Sequence, residues 1–113
     1  MSDLNQWSDY NMNAREKLLM DADSIVNGDR NVQYGDPNQD FRRTATMWGA
    51  FLGIELEPWQ VAAMMALLKI SRIAWSPTKR DSWLDLAGYA ACGADCVDAI
   101  ERDAFNAVAL TND

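Results

Sequence analysis

Eight apolar residues in a row, VAAMMALL at 61–68, constrain the fold more than any other stretch. They follow Pro58, which a helix tolerates in its first turn, and precede Ser76-Pro77-Thr78, which ends one. The span between these stops predicts a helix to about Trp75. Its middle is apolar on every side, so it is expected to be the central buried helix.

The other segments arrange themselves around it. Residues 14–26 (AREKLLMDADSIV) put Leu18, Ala22, Ile25 and Val26 at helical spacing, and Gly28 stands where a left-handed C′ glycine would end that helix. GDRNVQYGDPNQDF then reads as a loop of turn formers. Pro37 or Asn38 opens a second helix through Leu52, with Phe41, Ala45, Trp48 and Phe51 or Leu52 on one face and Gly53 as its stop. A last helix starts near Asp81 and runs past Ile100, towards Val108. No strand-like alternation is long enough to count. The expected fold is all-α, a compact bundle of about four helices forming one domain over residues 13–113. Residues 1–12 are expected to be a flexible arm that docks, if at all, through Trp7 and Tyr10.

Four charges interrupt this apolar plan at one end. Lys69 and Arg72 close the central helix, and Asp81 and Asp85 open the last. At about 100° per residue, Asp85, Tyr89, Cys92 and Cys96 share the stripe that begins at Asp81. Lys69 and Arg72 lie within about 60° of each other, on the face of Val61 and Met65. A short turn makes the two helices antiparallel neighbours, so all four charges meet. A buried unpaired charge is costly, so the four must pair or bind something. The structural reading is a Lys69–Asp85 ion pair, an Asp81 N-cap and a helix-end cation at Arg72. The functional reading is a polar pocket with cations for phosphate and carboxylates for a metal or a sugar hydroxyl.

Charge distribution bears on that choice. The chain carries −7 in 113 residues, which argues against a protein that coats nucleic acid. Residues 30–80 nevertheless hold seven bases and four acids, between flanks of net −4 and −6. A local positive site in an acidic protein suits a small anion. There is no histidine, so His-based triads and His–metal sites are excluded. Cys92 and Cys96 are four apart in one helix, which a disulfide would strain; they read as reduced core filler in a cytoplasmic protein. No long uncharged apolar run and no signal-peptide pattern is present, so no membrane partner is expected. Five tryptophans and six methionines in so small a chain point to a homo-oligomer, a dimer by expectation. A second polar cluster, Arg30, Asp36, Asp40 and Arg42, surrounds Tyr34-Gly35-Asp36-Pro37.

The skeleton Arg30, Tyr34-Gly35-Asp36, Phe41, Trp48, Lys69-x-x-Arg72, Asp81-x-x-x-Asp85 and Gly88-Tyr89 resembles a family of small tailed-phage proteins of unknown function, over about residues 14–96. That family is similar to a phage domain associated with nucleotide modification. More distantly it resembles the all-α, MazG-like nucleoside triphosphate pyrophosphohydrolases. These are helical bundles that hold Mg²⁺ on ExxE and ExxD motifs. The resemblance implies a nucleotide or other phosphorylated ligand on Lys69 and Arg72, with Arg30 or Arg42 assisting and Tyr34 or Tyr89 against the base. It makes Asp36 a further ligand-binding candidate and Asp81 and Asp85 the candidate Mg²⁺ ligands. It places the protein in the host-cell cytoplasm. The chain has no ExxE, and Lys69 and Arg72 stand where the hydrolases carry acids, which favours binding over hydrolysis. The alternative is an acidic interaction protein that binds a host protein, its charged cluster holding only the fold.

Overall fold

Asn13 starts the first helix: its side chain accepts from the Glu16 amide at 2.9 Å and donates to the Glu16 carboxylate at 2.8 Å. A computed structural model describes the chain over residues 7–9 and 11–111. Residues 1–6 and 10 of the expected arm, including Tyr10, lie outside the described residues; Trp7 is half-buried. Helix α1 spans Ala14–Ser24 and runs without a break into a π turn, Ile25–Asp29, and a short helix α2, Arg30–Tyr34. Gly28 therefore does not end the helix. Its backbone sits at φ −122°, ψ −110°, where the chain bends and continues. The left-handed C′ glycine is Gly35 (φ 82°), whose amide reaches back to Asn31 O at 3.0 Å. The expected fourteen-residue loop thus shrinks to Gly35-Asp36, and Arg30 is held in a helix beside the core.

Helix α3, Pro37–Leu52, begins on its proline and stops at Gly53 (φ 73°), as its sequence requires. Phe41 and Ala45 are buried and Trp48 half-buried, but Phe51 and Leu52, expected on the same face, are exposed. The chain doubles back over Gly49 instead. A β-carbon there would lie 2.6 Å from the Ile54 carbonyl oxygen, and Leu56 fills the core in place of the α3 C-terminus.

Helix α4, Pro58–Trp75, is opened by Gln60, whose side chain accepts from the Glu57 amide at 2.8 Å. It is not buried all round. Val61 and Ala62 are buried and Met65 half-buried, while Met64, Leu67, Leu68 and Ile70 are exposed. It packs against α3 on one side and most extensively against α5, Arg80–Thr111, on another, and its third side is left open. The close α4–α5 approach depends on small residues: a β-carbon at Gly93 would stand 3.2 Å from Ala62 Cβ. A β-carbon at Gly88, of the Gly88-Tyr89 pair, would meet Val26 of the π turn at an ordinary 3.5 Å.

The result is an all-α bundle of four long helices around Phe41, Ala45, Val61, Ala62, Cys92 and Cys96, with no β-strand among the described residues. Helix α5 outlasts its neighbours. Its 32 residues span about 48 Å at the usual helical rise, and every residue from 100 to 110 is exposed. This end accounts for the long axis of 59 Å.

Candidate functional site

The turn joining α4 to α5 is pinned by Trp83, whose indole N–H donates to Pro77 O at 2.9 Å. The two helices run antiparallel from it and bring Lys69 Nζ to 2.7 Å from Asp85 Oδ2. The pair is lopsided. The Lys69 side chain is 12% exposed and that of Asp85 43%. A cleft of about 660 Å³ opens beside it, lined by Lys69, Arg72, Trp75, Lys79, Asp81 and Asp85, with serines between them. The side chains of Arg72 and Lys79 make no ion pair or hydrogen bond among the described residues. Asp85 is already matched by Lys69, so the cleft presents two free cations against one exposed acid, Asp81. It is a positive site in a protein of net −7.

Asp85 also lines a second cleft, of about 330 Å³, with Val26, Arg30, Tyr34, Gly88 and Tyr89. Arg30, Tyr34 and Tyr89 reappear in the wall of a third, about 390 Å³, together with Phe41, Trp48 and Met65. Arg30 therefore separates two aromatic clefts. Its Nη2 donates to Asp40 Oδ2, its guanidinium lies 5.1 Å from the Phe41 ring centre, and its Nη1 is buried without a partner. Arg43 supports this corner by donating to the Tyr34 carbonyl at 3.0 Å.

Of the residues read from the sequence, Lys69, Arg72, Asp81 and Asp85 share one cleft, and Arg30, Tyr34 and Tyr89 line the clefts next to it. Asp36 lines none of the three; it is exposed at the N-cap position of α3 and makes no capping bond with its side chain. Arg42 is likewise exposed and apart from them. Asp81 and Asp85 are the only carboxylates in the polar cleft, and among the described residues no group of three acids or thiols gathers to hold a metal. Mg²⁺ on these two residues would complete its shell with water or ligand oxygens.

Lys79, Trp75 and Arg80 were not singled out as site residues. Arg80 is buried, and its Nη2 donates to Asp21 Oδ2 at 2.7 Å, tying α1 to the start of α5. Asp21 also accepts from Lys17 at 3.0 Å. The Lys17 hydrogen bond, opposed by partial burial and aided by Arg80, holds the Asp21 carboxyl below the usual carboxylate range. Cys92 and Cys96 are free and buried. Burial raises both thiols, Cys96 to about 11, so neither supplies a thiolate nucleophile at neutral pH.

Residues 17–97 match a family model described as a domain of unknown function, DUF6378. The chain belongs to this family. It is 45% identical over 74 residues to the Gene 55 protein of Mycobacterium phage L5, covering 65% of this chain and 47% of that protein. To the Gene 55 protein of Mycobacterium phage D29 it is 38% identical over 77 residues, covering 68% and 51%. The DUF6378 chain thus spans about half the length of the curated relatives it matches, and it joins a phage family of unknown function. No solved structure matches it. The DUF6378 match contains all three clefts and both long-range ion pairs, Asp21–Arg80 and Lys69–Asp85. It stops at the point where α5 leaves the bundle.

Proposed function

We propose that this protein binds a small phosphorylated ligand, of the nucleotide class, in the polar cleft between α4 and α5. The observation that carries this reading is the pair of unpartnered cations, Arg72 and Lys79, facing the same cleft as the Lys69–Asp85 pair. Phosphate oxygens would take the place of water on Arg72 and Lys79, with Lys69 behind them. Asp81 and the outer oxygen of Asp85 would hold a ribose hydroxyl, or a Mg²⁺ that arrives with the phosphates. Tyr34 and Tyr89 line the neighbouring cleft, where a base would lie. Two carboxylates, one of them matched by a lysine, favour capture over MazG-like pyrophosphohydrolysis. The role would be nucleotide handling or sequestration in the infected cell. Among the described residues no helix is long and apolar enough to cross a membrane.

The test is a thermal-shift panel of nucleoside mono-, di- and triphosphates and pyrophosphate, with and without Mg²⁺. A ligand at 100 times its Kd adds about 2.7 kcal/mol, a shift of roughly 10 °C or more for a domain of this size. A panel with no shift at millimolar concentrations contradicts the proposal.

The open sides of the bundle favour an assembly as well. Met64, Leu67, Leu68 and Ile70 on α4 and Phe105, Val108 and Leu110 on α5 are exposed apolar side chains in a small protein. We expect a homodimer in solution, with a host protein as the alternative occupant. Light scattering at high micromolar concentration should give twice the 12.7 kDa chain mass, and a monomer mass would contradict the dimer.

A further inference from the structure

One side chain of the polar cleft has no part in holding a phosphate. Trp75 lines the cleft and is 92% exposed, more than any other large apolar side chain described. Its ring makes no aromatic or cation contact, and its indole N–H no hydrogen bond, among the described residues. Trp83, across the turn, is by contrast fastened to Pro77. An indole left in water contributes little to the fold, so packing does not account for Trp75. What surrounds it is positive charge. Arg72 lies one helical turn before it on the same face, and Lys79 lines the same cleft from the turn. Cations beside an open aromatic face are the means by which proteins hold single-stranded nucleotides, phosphate on the cations and base stacked on the ring.

The site therefore has an aromatic position at each end. Lys69 and Asp85 stand level with each other as a pair. Trp75 lies six residues beyond Lys69, about 9 Å towards the turn at the usual helical rise. Tyr89 lies four residues beyond Asp85, about 6 Å the other way. Asp85 lines both the polar cleft and the cleft of Tyr34 and Tyr89, and its side chain is 43% exposed, so a ligand can pass over it from one to the other. A mononucleotide carries one base and can occupy only one of the two ends. The charge points the same way. Arg72 and Lys79 against Asp81 leave one net positive charge, which a single phosphodiester matches and a triphosphate exceeds.

We infer that this site takes a dinucleotide, two nucleosides joined by a phosphodiester. The bridge lies on Arg72 and Lys79, one base beside Tyr34 and Tyr89, and the second base on the face of Trp75. The inference rests on the phosphate-cleft reading and goes beyond it: it makes Trp75 a binding residue and sets the length of the ligand.

The experiment titrates AMP, GMP and the dinucleoside monophosphates ApA and GpG into the wild-type protein and into Trp75→Ala. The Trp75 side chain is exposed and unpartnered, so the variant should fold and melt as wild type does. At least one dinucleotide should bind wild type about tenfold or more tighter than its own mononucleotide, the worth of one further stacked base. Trp75→Ala should erase that gain and leave mononucleotide binding within about twofold of wild type. Mononucleotides binding wild type as tightly as both dinucleotides overturns the inference and spares the phosphate cleft. A dinucleotide preference that survives in Trp75→Ala overturns it equally. Binding of none of the four to wild type overturns both the inference and the phosphate reading.

Discussion

Asp21→Ala is expected to destabilise the protein by about 3 kcal/mol, more than any other exposed or half-exposed change in the molecule. The reason lies with its partner. The Arg80 side chain is 9% exposed, Asp21 is its one ion-pair partner among the described residues, and its Nε is already buried without an acceptor. Removing the carboxylate strands a whole guanidinium. The reverse change is milder. Without Arg80, Asp21 still has Lys17 at 3.0 Å and is one-third exposed. Arg80→Met should therefore cost less than half as much as Asp21→Ala, and the double variant should resemble Arg80→Met. Urea denaturation of the three proteins measures this, and equal costs for the two single variants would contradict it. The pH dependence follows from the lowered Asp21 carboxyl. Its folded value lies below its unfolded one, so its contribution is fully present above the ordinary carboxylate value. It is lost as pH falls through the lower folded value. Wild type should lose more stability than Asp21→Asn between about pH 4 and pH 2.

The Lys69–Asp85 pair should show the same asymmetry at the other end of the bundle. Asp85→Leu leaves a lysine that is 12% exposed with no partner, at a cost of about 2 kcal/mol. Lys69→Met leaves an aspartate that is 43% exposed and can rehydrate, at a cost nearer 1 kcal/mol. The double variant should recover much of the Asp85→Leu loss. It should fold and no longer bind the phosphorylated ligand. Additive losses in the cycle would show that the two side chains do not interact, and a double variant that binds like wild type would reduce the pair to a structural role.

The contrast between these two ion pairs shows how far the sequence can be read. Lys69 and Asp85 were legible because both are charges on apolar stripes and a short turn fixes their register. The same test applies to Asp21. It falls on the stripe of Leu18, Ala22 and Ile25, which marks it as a charge needing a partner. Its partner, Arg80, lies 59 residues away, beyond three intervening helices, and no local spacing points to it. The path at Gly28 was hidden for another reason. A glycine after a helix marks a stop or a bend equally well, and the packing of Val26 against Gly88 is consistent with the bend. The open faces of α4 and the free end of α5 follow from bundle size. An all-apolar run says that a helix wants cover on every side, while four helices supply cover on only two. Arg30 was found as a motif residue, but its donor geometry depends on Asp40 and Phe41 converging on it in three dimensions.

Arg72 gives the cleanest test of the phosphate cleft. It is exposed and its side chain has no partner among the described residues, so Arg72→Ala should leave the unfolding free energy within about 0.5 kcal/mol of wild type. Calorimetric titration of Arg72→Ala with the nucleotide that most stabilises the wild-type protein then reads the cleft without a folding artefact. Loss of a charge-assisted contact should weaken binding about tenfold or more, with the melting temperature of the free protein unchanged. Binding equal to wild type in that variant would contradict the assignment of the ligand to the Lys69–Arg72–Lys79 cleft.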